Sequence, residues 1–423
     1  MSNTQIANEL MSSHVVDSLR GCERGPNVWV SPMLYKFDTS QAESNFQADI
    51  QSGLLHVRSG GLYDPIDAIA GAMYELHNPS APNDVKSKME YTEAMRQRGD
   101  AYGTWVYFPD RRELLRYPDQ ADHFALRTWR NQPLVSVNQQ KILYNTSILG
   151  MGMSVGSKIM ECLVESGIGN NYYLGDSDIS DPTNLNRTSA TMDNVGQSKV
   201  DRVAARISAV DPWISITPFR NGIHPEQIQV LQQRYDQSEG KIDCIVEEVD
   251  NIAAKAIARQ FAIRNAIPLV MSADVHDKNV TDVERHDAAD FQNNVAFLGR
   301  LSQSEFNELL SASSNGQVPM LLERQEALML KHTGYRHLTV GMMRAIIERG
   351  KTIGGLPQLG ISSGRGGVDA TFAVREILLG RKMPTGRYSD SPRKNFRTGP
   401  EASPREALNA VLSLKKYMDN RRK

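Results

Sequence analysis

Hydrophobic and polar positions along the chain change rhythm at about residue 141. From there short apolar runs alternate with stretches of helical period. KILYNTSIL reads as a short apolar strand, then comes GMGMSVG, then SKIMECLVESGIG as a helix closing on glycine. NYYLG reads as a second strand, NVGQSKVDRVAARISAVDP (194–212) as a helix and WISITPFR as a third strand. HPEQIQVLQQRYDQ reads as a helix and KIDCIVEEVDN as a fourth strand; IAAKAIARQFAIRNA and IPLVMSAD repeat the pair. Such alternation predicts an α/β fold: a Rossmann-like, mostly parallel sheet with helices on both faces. Asp193 or Asn194 is expected to cap the helix that follows.

Either side of this region the pattern differs. Residues 1–25 read as a polar helix and a glycine-containing turn, and VWVSPMLYKF (28–37) as an extended segment. In LYDPIDAIAGAMYELHNPS (62–80), Ile66, Ile69, Met73 and Leu76 fall on one helical face, with Asp64 or Asp67 near the start. TWVYFPDRRELLRYPD (104–119) reads as a hairpin turning at Pro109-Asp110. Residues 1–125 are thus expected to form an N-terminal α+β accessory module. The α/β region is assigned to 126–290, and a helical C-terminal part to 291–385. Pro, Ser, Gly and Arg dominate 384–404, so 386–423 is expected to be a basic linker and a terminal helix. No internal repeat is evident.

Composition narrows the class. The 423 residues are 40% hydrophobic and 23% charged, enough for a sizeable core. The formal net charge of −1 supplies no global field to recruit nucleic acid or a membrane surface. No run of eighteen apolar residues exists. The N-terminus lacks a basic stretch followed by an apolar one, so no signal peptide is expected, and a soluble cytoplasmic protein is the default. Cys22, Cys162 and Cys244 are scattered with no CxxC pair, which argues against a structural zinc ribbon. His276-Asp277 and His286-Asp287 are adjacent pairs without metal-ligand spacing.

The candidate chemistry lies where the first predicted strand meets the first helix. Glycines between a strand and a helix let backbone N–H groups approach an anion, and the helix N-terminus adds partial positive charge. Here they are Gly150, Gly152 and Gly156, with Ser154 and Val155 inside the loop. The spacing is one residue longer than GxGxxG, and a structural tight turn is the competing reading. Asp176 follows Gly156 by twenty residues and can hold ribose hydroxyls. Asp178, Asn184, Arg187 and Lys199 come next; Arg and Lys beside a glycine loop suit a triphosphate. Glu247, Glu248, Asp250 and Asn251 end the fourth strand, and a carboxylate facing a triphosphate suits magnesium.

Together these residues resemble the ThiF/MoeB family, the adenylating fold shared with ubiquitin-activating enzymes. The resemblance covers about 125–290, through the glycine loop, Asp176-x-Asp178, Asn184-x-x-Arg187, Lys199 and Asp250-Asn251. Arg127-Thr128-Trp129-Arg130 matches an R-x-x-R element upstream of the first strand. The resemblance implies ATP and Mg2+ as cofactors. Asp176 would hold the ribose; Asn184, Arg187 and Lys199 the phosphates; and Asp250 the metal. Asp178, Asn251 and the glycine loop with Ser154 complete the implied binding set. Arg130 would act in trans within a homodimer. The implied reaction is attack of a carboxylate on the α-phosphate of ATP, giving an acyl-adenylate and pyrophosphate. The partner is then a carboxylate substrate: a peptide, a small protein's C-terminus or a metabolite. The family's zinc-binding CxxC pairs are absent, and Thr188 stands where a Gln often follows the Arg. Cys244 in a strand and Cys162 within a helix read as packing residues, so an enzyme thioester is not expected. The alternatives are a nicotinamide- or flavin-linked oxidoreductase and a non-catalytic member that binds nucleotide or a partner. In some family members that modify ribosomal peptides an N-terminal module binds a leader. Here the predicted hairpin could pair with an extended peptide, or the module could brace the dimer.

Overall fold

The structure, a computed structural model, describes residues 28–237, 240–288, 296–314 and 320–421. The expected N-terminal helix and Cys22 lie outside these residues. The chain divides into two compact units, one ending at Arg130 and the other beginning at Asn131.

In the first unit, β1 (Met33–Tyr35), β3 (Thr104–Phe108), β4 (Glu113–Tyr117) and β2 (Leu62–Tyr63) form a four-stranded sheet in that order. The β3–β4 pair is the expected hairpin, in register from Thr104 opposite Tyr117 to Phe108 opposite Glu113. Its helices are α1 (Ser40–Gln51), α2 (Ile66–His77), α3 (Val85–Gln97) and α4 (Gln120–Thr128). Ile69 and Met73 of α2 are buried, as their spacing predicts, and Ile66 and Leu76 pack partly against the same cluster.

The second unit is built on a seven-stranded sheet. Its strands are β5 (Ser147–Met151), β6 (Asn171–Gly175), β7 (Ser215–Phe219), β8 (Cys244–Glu247), β9 (Leu269–Val275), β10 (Lys278–Glu284) and β11 (Gly386–Asp390). The order is β11-β10-β9-β8-β5-β6-β7. Strands β5 to β9 are parallel, while β10 runs antiparallel to β9 and β11 antiparallel to β10. The parallel order reverses between β5 and β8, and ligands of open α/β sheets bind outside the carboxyl ends at such a reversal. Helix α5 (Val137–Tyr144) precedes β5, followed by α6 (Gly156–Glu165), α7 (Lys199–Val210), α8 (Pro225–Asp236) and α9 (Ile252–Arg264). Leu149, Met151, Tyr173, Ile245, Leu269 and Met271 of the strands pack on Leu231 of α8 and on Ala258, Phe261 and Ala262 of α9. Burial on both faces explains why these strands read as continuous apolar runs.

The remaining helices are α10 (Gln303–Ser314), α11 (Leu322–Thr333), α12 (Val340–Glu348), α13 (Gly360–Leu378), α14 (Pro392–Phe396) and α15 (Pro404–Arg421). Val340, Met342 and Met343 of α12 and Ala410, Leu414 and Met418 of α15 close a second core over Val275 and Val280. Helix α13 lies against α6 and β9. A Cβ on Gly367 would come within 3.0 Å of the Lys158 carbonyl oxygen, so the glycine there permits a close crossing.

Three expectations are corrected. KILY is the end of helix α5, not the start of a strand; Ser136 and Gln139 form a capping box at its first turn. The helix expected over 194–212 begins at Lys199. Asn194 and Thr191 instead close a 3-10 turn, Met192–Asn194, with Asn194 Oδ1 accepting the Thr191 N–H at 3.0 Å. The stretch 384–404 is not simply a linker: it supplies β11, an edge strand of the main sheet, and the short α14.

Candidate functional site

The glycine turn sits at the reversal of strand order. Gly152 takes φ +89°, and a Cβ there would lie 2.6 Å from the Glu248 carbonyl oxygen, so only glycine fits. The Gly152 N–H donates to the Gly175 carbonyl at 2.7 Å, and the Glu248 N–H to the Met151 carbonyl at 2.7 Å. The ends of β5, β6 and β8 are thereby laced together. Gly156 opens α6 beside the Glu248 side chain. Ser154 lies in the turn between them, its carbonyl accepting the Ser157 hydroxyl at 2.7 Å. Gly150 has a different role: it is buried within β5, and a Cβ there would meet Met160 Sδ at 2.9 Å.

Asp176 is tied to this turn from the end of β6. One carboxylate oxygen accepts the Met153 N–H at 2.5 Å and the other the Asp178 N–H at 2.8 Å. Burial pushes the Asp176 carboxyl up, against the pull of those two N–H groups and of Lys199. Lys199, the first residue of α7, donates from Nζ to Asp178 Oδ2 at 2.7 Å. The Lys199 side chain is buried, whereas that of Asp178 is exposed. Arg202, three residues further along α7, is also buried; its Nη2 donates to the Met153 carbonyl at 3.2 Å and its Nε has no hydrogen-bond partner. Burial lowers the Arg202 guanidinium against Glu161 and Asp176. Sequence reasoning missed Arg202; its spacing from Lys199 on one helical face was the available signal.

Asn184 and Arg187 occupy the turn after β6. Asn184 is buried, and its side-chain oxygen accepts the Asp181 N–H at 3.2 Å. Arg187 Nη1 donates to the Thr183 carbonyl at 2.7 Å and to Asn186 Oδ1 at 3.0 Å, while Nε is buried without a partner. Burial lowers its guanidinium, opposed by Asp274 and Asp181. The turn is braced by α13 and the segment leading into it: the Ser363 hydroxyl donates to the Arg187 carbonyl at 2.7 Å, and Asn186 Nδ2 to the Gln358 carbonyl at 2.8 Å.

The end of β8 carries two different carboxylates. Glu248 accepts the Ser272 N–H from β9, and burial raises its carboxyl well above the ordinary range. Asp250 is exposed. Asn251 caps α9, accepting the Ala253 and Ala254 N–H groups at 2.8 and 3.1 Å. Glu247 points into the protein, bonded to Lys255 Nζ at 2.9 Å and Arg259 Nη1 at 2.8 Å. Arg130 belongs to the first unit, its guanidinium lying 5.2 Å from the Trp129 ring centre. Cys244 is fully buried in β8, and burial pushes its thiol up. Among the described residues no group of three or more His, Cys, Asp or Glu is arranged to hold a metal ion. No described helix is long and apolar enough to cross a membrane.

Asp176, Asp178 and Lys199 thus gather at a glycine turn where the strand order of a Rossmann-like parallel sheet reverses, the place where open α/β sheets offer a crevice to ligands. Residues 127–283 match the model of the ThiF family. Among curated relatives, the chain is 27% identical over 283 residues to the Uncharacterized protein MT1398 of Mycobacterium tuberculosis, a match covering 67% of this chain and 37% of that one. It is 30% identical over 163 residues to tRNA threonylcarbamoyladenosine dehydratase of Bacillus subtilis, covering 38% of this chain and 61% of that one. The chain thus spans less than two thirds of either relative. Similar solved structures include PaaA, at 20% identity and a TM-score of 0.41, covering 65% of this chain and 78% of that one. They also include the Escherichia coli tRNA N6-threonylcarbamoyladenosine dehydratase TcdA with AMP, at 18% identity and a TM-score of 0.41, covering 60% and 95%.

Proposed function

We propose that the crevice binds ATP and activates a carboxylic acid by adenylation, releasing pyrophosphate. ATP is here a substrate, consumed in each turnover. The observation that carries the reading is the convergence of Asp176, Asp178 and Lys199 on the glycine turn, through bonds of 2.5 to 2.8 Å. Such a rim combines sugar and phosphate recognition, and an oxidoreductase would have no use for Lys199 and Arg187.

Asp176 accepts two backbone N–H groups and keeps lone pairs for ribose hydroxyls. Gly152 brings backbone close to the phosphates, with Ser154 and Gly156 at the first turn of α6. Lys199 exchanges Asp178 for a phosphate oxygen. Arg187 offers its unpartnered Nε, and Asn184 shapes the turn that presents it. Asn251 orders the start of α9 behind Asp250. Gly150 is left out, since packing against Met160 accounts for it.

The exposed Asp250 carboxylate at a strand end suits magnesium, which takes few protein ligands and fills its shell with water and phosphate oxygens. When bound, the metal would offset charge on the departing pyrophosphate. The acid's own carboxylate is the nucleophile, so the chain supplies electrostatic stabilisation and orientation and no base in this step. Arg130 is assigned to the partner copy's crevice in a homodimer. The acid is a peptide, a small protein's C-terminus or a metabolite, and the reading calls on no thioester at Cys244, which is buried in β8.

The test is ATP–pyrophosphate exchange with a panel of such acids. Exchange that depends on the acid and is lost in Arg187→Ala and Asp250→Ala is expected. If no acid supports exchange, and NAD but not ATP raises the melting temperature, the adenylation reading fails.

A further inference from the structure

Asp274 lies on β9, the parallel neighbour of β8, and has no part in the nucleotide contacts described. It sits near the carboxyl end of β9, where it feels Arg187, Ser362 and Glu248. Ser362, at the start of α13, also bears on its carboxylate, while the Ser362 hydroxyl donates to the Leu359 carbonyl at 2.9 Å. Its Oδ2 is buried without a hydrogen-bond partner, and so is Arg187 Nε. The two side chains feel each other's charge, yet among the described residues no ion pair joins them.

A carboxylate and a guanidinium, each partly stripped of water and held apart, cost stability unless a polar group enters between them. Folding alone would favour closing the pair. Holding it open makes sense if a ligand supplies the missing partners, with its anionic part toward Arg187 and a hydrogen-bond donor toward Asp274. If Arg187 holds the phosphate of an acyl-adenylate, as in the reading above, the donor at Asp274 lies beside the reactive carbonyl.

We propose that Asp274 is the base that takes a proton from an amine attacking the acyl-adenylate, an assignment that rests on the adenylation reading. The amine lone pair forms the bond to the acyl carbon. The bond from that carbon to the phosphate oxygen breaks, and AMP leaves with the electron pair. The N–H proton passes to Asp274 Oδ2, giving an amide and AMP. A carboxylate attracts an arriving ammonium ion, which gives up one proton to solvent before the amine attacks, and repels a thiolate, so the site favours an amine over a sulfur donor. Burial, the largest influence, raises the Asp274 carboxyl to about 7, against Arg187 and Ser362, which suits a base working near neutrality.

The test uses an acid that supports exchange and two probe nucleophiles, ethylamine and hydroxylamine. Hydroxylamine is largely uncharged near neutrality and needs little help in losing a proton. In single-turnover transfer, Asp274→Asn should slow amide formation from ethylamine about 100-fold more than it slows exchange. Hydroxamate formation should fall no more than exchange does, and Asp274→Glu should recover part of the ethylamine rate. Equal losses with both nucleophiles, or none with ethylamine, overturn the assignment. A second readout needs no turnover. In the ligand-free protein labelled with 13C at aspartate carboxyls, one resonance should titrate near pH 7 and be missing from Asp274→Asn. If none does, the assignment falls even where exchange is robust. If exchange is absent with every acid, the adenylation reading fails instead, whatever the titration shows.

Discussion

Lys199 is bound twice to Asp178: its Nζ donates to Asp178 Oδ2 at 2.7 Å, and its backbone N–H donates to the Asp178 carbonyl at 3.0 Å. The ammonium group is thereby fixed at the start of α7 before any anion arrives. Because Asp178 is exposed, the ion pair itself adds little to stability, on the order of 1 kcal/mol or less. Its value lies in orientation. Lys199→Ala should therefore lower acid-dependent exchange by about 100-fold, the usual loss of one preorganised stabilising group. Its urea midpoint should shift far less than that loss would suggest. Equal exchange in the variant and the wild type would remove Lys199 from the phosphate site.

Gly152 and Gly196 separate two reasons for glycine. Both have strongly positive φ, +89° and +86°, but a Cβ at Gly196 would meet nothing within 4 Å. Gly196→Ala should cost about 1 kcal/mol, from the backbone conformation alone. Gly152→Ala must also push apart the ends of β5 and β8, so a cost of about 3 kcal/mol is expected, with loss of ATP binding. Chemical denaturation of the two variants side by side checks the contrast. Similar costs would mean that the turn relaxes freely.

The buried charges below the crevice predict how acid weakens the protein. Arg259 is fully buried and holds Glu247 and Glu284, each at 2.8 Å. Burial alone would raise both carboxyls. Lys255 and Arg259 outweigh it at Glu247, and Arg259 and His286 outweigh it at Glu284, so both end below the ordinary value. The unfolded chain then binds more protons, and this stability is lost as pH falls through the usual glutamate range, about 4.3. His332 acts in an earlier window. Burial, helped by Arg259, Lys255, Arg387 and Arg300, holds it far below the ordinary histidine value. It stays neutral when folded but takes a proton when unfolded, so stability also falls as pH drops below about 6.5. His337, lowered to about 4 chiefly by burial, adds to the same window. The melting temperature should decline from pH 7.5 to 5.5, and His332→Leu should flatten part of that decline. An unchanged slope in the variant would show that His332 is already charged in the folded protein.

Much of the parallel sheet was legible because its signals are local. NYYLG coincides with β6, Asn171–Gly175, and the residues after it carry the D-x-D and N-x-x-R spacing. The crevice was legible to the extent that its parts follow strand ends: Asp176, Asp178 and Lys199 do meet at the glycine turn. The helical KILY was not, since four apolar-rich residues fit either period and the deciding capping box lies upstream at Ser136. Asp274 was invisible for another reason. Nothing in SAD marks it; its meaning comes from Arg187 and Ser362, which only folding brings near.

The strand β11 shows the same limit and supplies a further test. GRYSD is short, polar and set among Pro, Ser and Gly, so local propensity argues for a linker. What makes it a strand is a partner about a hundred residues away. Arg387 Nε and Nη2 form a two-pronged contact with Asp282 of β10, each at 2.5 Å. Its Nη1 donates to the carbonyls of His332, at 3.0 Å, and Thr333. Asp282 is fully buried and Arg387 nearly so. Removing one member of such a pair leaves an uncompensated buried charge, at a cost of about 3–5 kcal/mol. Arg387→Ala should therefore destabilise the protein by about that amount, measured by denaturant unfolding. Combining it with Asp282→Asn should cost less than the two single changes summed, because the orphaned carboxylate is then gone. If β11 were held by its backbone ladder alone, Arg387→Ala would cost little and the double variant would show no such recovery.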